Sequence, residues 1–132
     1  MDKIINGLKK KIDGYKLPDG IDIIPPYTSI KTSKEELYSR YSNVVMTYNR
    51  VCDTMSKLQL SSVTIDRLLR ELPNSKEVFS KQKLYSEELK NLKMDVRGML
   101  DSYKYIKDGL EACVRFYNSV QYILTSYRLE EC

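Results

Sequence analysis

The chain has 132 residues, with 22 Lys and Arg against 18 Asp and Glu for a formal charge of +4, and it contains neither histidine nor tryptophan. That length sets one small domain as the prior, and the lack of imidazole excludes the catalytic and metal chemistry that depends on it. Eleven tyrosines beside only five glycines and four prolines argue against a turn-rich all-β chain.

Hydrophobic residues at 42% against charged residues at 30% place the chain outside the low-hydrophobicity regime of disorder, so it should fold. Apolar runs such as Ile23-Ile24 and Val44-Val45-Met46 fall far short of the roughly 18 to 20 residues that cross a bilayer. Met1 to Asn6 lacks a secretory h-region. The expectation is a protein that is neither secreted nor transmembrane, in the cytoplasm, the nucleus or a virion, with no membrane partner. Cys52, Cys113 and Cys132 form an odd set at wide spacing with no histidine or paired cysteine nearby, which indicates neither a disulfide framework nor a zinc site. No cofactor is expected.

The first segment, residues 1–32, differs in texture from the rest. Ile4, Ile5, Leu8 and Ile12 recur at helical intervals behind Asp2 as a cap, with Lys9-Lys10-Lys11 near the end where cations suit the helix dipole. Gly14 should stop this helix. Leu17-Pro18-Asp19-Gly20 reads as a turn, and Ile21 to Ser29, interrupted by Pro25-Pro26, as an extended arm.

Ser33-Lys34-Glu35-Glu36 is a capping box and predicts a helix over 33–72. Its apolar positions, Leu37, Tyr41, Val44, Tyr48, Val51, Met55 and Leu58, then Ile65, Leu69 and Leu72, alternate steps of 4 and 3, with Ser62 the single exception. Such alternation marks a seam that faces another helix in a left-handed supercoil. The β-branched and serine residues at Ser61-Ser62-Val63-Thr64 are where this helix would split. Pro73-Asn74-Ser75 is the turn, Asn74 to Glu77 offers a second cap, and a helix over 76–130 resumes the alternation from Tyr85 and Leu89 to Leu124 and Tyr127. Gly98 and Gly109 lie off that seam. The predicted fold is all-α: a long antiparallel αα-hairpin (coiled-coil) over 33–132, with a short N-terminal amphipathic helix and extended arm over 1–32.

The two predicted arms differ in length, so folding at Pro73 leaves about Arg115 to Cys132 without a partner from the first arm. That overhang carries Val114, Phe116, Tyr117, Val120, Ile123, Leu124 and Tyr127, an apolar face wider than a two-helix contact covers. These seven residues are the candidate interface, to be covered by the N-terminal helix or by other copies of the chain.

A second constellation is charged. With Leu89, Val96, Tyr103 and Leu110 at heptad position a, the b positions are Lys76, Lys83, Lys90, Arg97 and Lys104, all basic, with Lys93 and Lys107 at e beside them. Glu88, Asp95, Asp101 and Asp108 lie on the other flank. Lys83, Lys90, Lys93, Arg97, Lys104 and Lys107 are the candidate polyanion-binding residues, suited to a nucleic-acid backbone or an acidic protein and weak in base-reading groups. The bland alternative is a solvated face. Of the tyrosines, Tyr41, Tyr48, Tyr85, Tyr103, Tyr117 and Tyr127 fall on the seam as core bulk, and Tyr105, off the seam and next to the basic row, is the aromatic suited to a ligand contact. Cys52 and Cys113 read as small core residues.

No phosphate-binding glycine loop, nucleophile elbow, metalloprotease motif or Cys-x-x-Cys occurs, and the adjacent carboxylates Glu35-Glu36, Glu87-Glu88 and Glu130-Glu131 point to different helix azimuths. An enzyme is not expected. The layout of a distinct amino-terminal segment, long helices with a basic surface and an apolar carboxy-terminal helix resembles two groups of small phage proteins, the recombination mediators of T-even phages and the small terminase subunits. The stretches that would mark the mediators are here Leu68-Leu69-Arg70-Glu71-Leu72 and Arg115-Phe116-Tyr117-Asn118. Neither matches, so no family is claimed and no functional residue is carried over. The primary expectation is a non-enzymatic scaffold, a phage or virus component among its settings, that forms homo-oligomers or docks on a larger assembly. The alternative is a nucleic-acid accessory protein: a single-strand binder, recombinase loader or DNA-packaging subunit.

Overall fold

The computed structural model describes residues 1–16 and 34–131, with side chains over 1–16 and 38–119. The fold is all-α. Helix α1 is Asp2–Asp13, α2 is Lys34–Glu71, a single 3-10 turn follows at Leu72–Asn74, and α3 is Phe79–Glu131. The arm, the Ser33 cap and Cys132 lie outside the described residues.

Helix α1 buries Ile5, Leu8 and Ile12 and leaves Ile4 half-exposed, so its apolar stripe is one residue narrower than the sequence suggests. Asp2 does not cap it. Met1 holds that position, its carbonyl accepting from the Ile5 N–H at 3.0 Å, and Asp2 lies inside the first turn, where a carboxylate complements the helix dipole. The end comes at Gly14, at φ −66°. The helix tightens there instead of reversing hand: the Tyr15 N–H donates to Ile12 and the Lys16 N–H to Asp13, the three-residue spacing of a closing 3-10 turn.

Helix α2 runs through Ser61 to Thr64 without a break. The Thr64 hydroxyl donates to the Leu60 carbonyl at 3.0 Å, which satisfies a polar β-branched residue within the helix. Pro73 then stops it as expected, since proline lacks the N–H a helix interior requires. The second expected cap is not used. Both the N–H and the hydroxyl of Ser75 turn back onto the Leu72 carbonyl, and the Gln82 side-chain amide donates to the carbonyls of Glu77 and Ser75. Helix α3 consequently starts at Phe79, and Lys76 stands in the turn, off the helical row.

Two compact units divide the chain. The first joins Met1–Pro18 to Asp53–Lys104, so α1 belongs with the middle of the sequence. Within it the chain reverses through the turn, and Asp66 of α2 meets Lys93 of α3 in an ion pair. Helix α1 runs parallel to α3. The Met1 amino group lies 4.0 Å from Glu77, Lys9 lies 3.8 Å from Glu88, and the Tyr103 hydroxyl donates to the Tyr15 carbonyl at 2.6 Å. The apolar face of α1 is thereby spent inside this unit.

The buried face of α2 in this unit is shifted from the expected seam. Leu58, Ile65 and Leu72 are buried as expected, yet Ser61 and Leu68 are buried more fully than the neighbouring Ser62 and Leu69. Ser61 is the one polar residue in that core, and no buried side-chain polar atom among the described residues lacks a hydrogen-bond partner.

The second unit joins Asp19–Cys52 to Tyr105–Cys132. Tyr41 stacks on Tyr117 with ring centroids 4.1 Å apart, Tyr38 meets the same ring edge-on at 6.3 Å, and the Tyr48 hydroxyl donates to the Glu111 carboxylate at 3.0 Å. Val44, Val51, Leu110 and Cys113 complete the buried set beside these rings.

Glycine at Gly7 and Gly98 is not required by the fold. Both sit in helix interiors, both are exposed, and a Cβ built on either meets nothing within 4 Å. Alanine restricts the unfolded chain and favours the helix, so Gly7→Ala and Gly98→Ala should each raise stability by about 0.5 to 1 kcal/mol in urea unfolding. A loss at Gly98 would mean that α3 bends there.

Candidate functional site

Position along α3 decides which of the predicted cations are available. Lys83, Lys90, Arg97 and Lys104 lie on α3 in the first unit, all exposed, and among the described residues none of them makes an ion pair. Three of them directly follow buried residues, Leu89 before Lys90, Val96 before Arg97 and Tyr103 before Lys104, so packing fixes the backbone that carries them. Two members of the predicted set are engaged elsewhere. Lys93 pairs with Asp66 across the first unit, and Lys107, in the second unit, lies 4.0 Å from Glu111 of its own helix. The row is therefore four residues long.

The acidic flank is partly neutralised. Glu88 faces Lys9 of α1, and Asp95 lies at a groove between α1 and α3 of about 660 Å³ that Ile12, Leu92 and Met99 also line. The charges at that groove are largely internal: Lys16 pairs with Asp13 at 3.1 Å and Lys9 with Glu88.

The carboxy-terminal set divides differently from the sequence expectation. Tyr117 is only 3% exposed, covered by Tyr38 and Tyr41, so it is not part of a bare overhang. Tyr117 lies two residues past the point where the overhang was expected to begin, and α2 still covers it, because α3 starts only at Phe79 and the turn takes up the residues before it. Val114 and Phe116 are half-buried, while the side chains of Val120, Ile123, Leu124 and Tyr127 lie outside the described set.

The Tyr48 hydroxyl is pushed up to about 12, first by its hydrogen bond with Cys52 and then by that with Glu111. Tyr85 is likewise pushed up to about 12, chiefly by its hydrogen bond with Asp2 and then by burial. Both arrangements favour the neutral phenol, a structural donor, over an acid that releases its proton. Tyr105, in the second unit, is exposed as the sequence suggested.

Sequence reasoning missed Val78 and Phe79. They stand at the start of α3, 61% and 83% exposed, on the turn pinned by Ser75 and Gln82. The expected seam begins at Tyr85, and the residues before it carried no reading beyond the start of a helix at Lys76, whereas α3 starts at Phe79.

No protein-family model matches the chain, and no curated protein or solved structure matches it. Among the described residues no helix is long and apolar enough to cross a membrane, and no group of three or more His, Cys, Asp or Glu side chains is placed to hold a metal ion.

Proposed function

We propose that the chain is a non-enzymatic assembly protein, an antiparallel coiled-coil hairpin braced by α1, that associates with further copies of itself. The observation that carries this reading is the exposed pair Val78 and Phe79 on an ordered turn. Large apolar side chains left in water on a preorganised element are what docking anchors consist of, since little ordering entropy remains to be lost on contact. The carboxy-terminal residues of α3, with Val120, Ile123, Leu124 and Tyr127, supply the second contact of this reading. A virion or other large particle is a setting that such a protein suits.

Sedimentation across a range of concentrations tests it. The intact chain should exceed the monomer mass, and Val78→Ser with Phe79→Ser should lower that mass while leaving the helical circular dichroism unchanged. A chain that sediments as a monomer at every concentration overturns the reading.

A further inference from the structure

We infer that Lys83, Lys90, Arg97 and Lys104 on the outer face of α3 form a binding track for a single-stranded nucleic acid. This is a separate surface from the anchors at the turn. At about 1.5 Å per residue, the seven-residue interval places one cation every ~10.5 Å over a rise of ~32 Å, with a drift of only about 20° around the helix per heptad. That interval is close to a Debye length of about 8 to 10 Å at ordinary salt. The cations therefore repel one another little, and each is free to neutralise a phosphate on its own.

Among the described residues of this unit Lys9, Lys16, Lys57, Arg67 and Lys93 have carboxylate partners, whereas the row has none. Lys3, Lys10, Lys11, Arg70, Lys76 and Lys81 are likewise without one, and what sets the row apart is four such cations in succession on one helix at a seven-residue interval. On α3 between Phe79 and Lys104, the cations with no ion pair among the described residues are Lys81, Lys83, Lys90, Arg97 and Lys104, and the carboxylates with none are Glu87, Asp95 and Asp101. The excess of cations is the same before and after pairing, since the Lys9 that α1 brings to Glu88 is offset by the Asp66 that α2 brings to Lys93.

The shape of the row selects among polyanions. A flat anionic surface would press Glu87 and Asp101 against its own charge, since both follow row residues by one helical turn; a linear polymer can follow the cations alone. A duplex carries each strand around its axis while advancing only about 3.4 Å per phosphate, so a row confined to one face of a helix meets a given strand only where the two cross. A single strand is free to lie along the row. Within Lys83 to Lys104 the aromatics are Tyr85 and Tyr103, and both are buried, so the stretch between the cations presents no stacking group. Binding should thus be electrostatic and indifferent to base sequence.

Fluorescence anisotropy with labelled oligothymidylate of about 30 nucleotides, from about 50 to 200 mM salt, tests the track. With four phosphates neutralised at about 0.7 per contact, log K should fall with log salt at a slope near −3. Lys90→Glu with Arg97→Glu should weaken binding at least tenfold at about 50 mM salt and flatten the slope by about 1 to 2. Lys10→Glu with Lys11→Glu, which changes net charge equally on the exposed end of α1, should leave the slope unchanged. Circular dichroism and sedimentation of both variants should match the wild type, so that loss of binding is read apart from loss of assembly. No binding at about 50 mM salt overturns the inference. So does an equal effect of the α1 pair, tighter binding to a duplex of the same length, or binding to phosphatidylserine vesicles without binding to the oligonucleotide.

Discussion

Leu89→Ala should lower the unfolding free energy by about 2 to 5 kcal/mol, the cost of deleting a fully buried leucine and leaving a cavity that the surroundings only partly close. Leu89 has no exposed surface, and Val96 one heptad further on is equally enclosed. Five residues after Leu89 on the same helix, Met94 is 72% exposed, and Met94→Ala should stay within about 0.5 kcal/mol. Ile106, half-buried in the second unit, should fall between the two. Urea midpoints of the three variants at a common slope check the ordering. Comparable losses at Leu89 and Met94 would place the wrong face of α3 inward.

Stability should begin to fall above pH 10 and go on falling toward pH 12. Tyr48 and Tyr85 are each pushed up to about 12, Tyr103 is raised by burial, and Tyr117 is raised by burial and then by the Tyr38 and Tyr41 hydroxyls. In the unfolded chain a tyrosine ionises near pH 10. Between those values the folded state keeps protons that the unfolded state has released. Stability is therefore full below about pH 10 and falls as pH rises toward the folded value. Ionisation also deletes the donor that Tyr48 gives to Glu111 and sets a phenolate beside that carboxylate. Tyrosinate absorbance and helical circular dichroism should change together, and Tyr48→Phe with Tyr85→Phe should make the pH dependence shallower. Tyrosinate forming smoothly around pH 10 with the helices intact would show that these hydroxyls are not held as the structure places them.

By itself the sequence determined the helices and most of their inward faces. Steps of 3 and 4 put Tyr85, Leu89, Leu92, Val96, Tyr103, Leu110, Cys113 and Tyr117 on one stripe, and all eight are buried, because helical periodicity is a local property that water and core enforce along the whole element. Pro73 fixed where α2 ends for an equally local reason. The cationic row was legible in the same way, as heptad spacing of basic residues.

Tertiary structure alone decided which of those cations are free. Nothing in the spacing of Lys93 reveals that Asp66, 27 residues earlier, neutralises it, or that Lys9 comes to Glu88 from the far end of the chain. Pairing depends on which surfaces meet, and no local pattern encodes that. The placement of α1 has the same origin. Its amphipathic stripe asked for a partner without naming one, and the tertiary structure sets it in the first unit alongside α3. Helix starts also depend on more than the local pattern: Asn74 to Glu77 offers a cap in sequence, but the Ser75 N–H and hydroxyl both turn back onto the Leu72 carbonyl. Helix α3 begins only at Phe79, with Val78 and Phe79 in water.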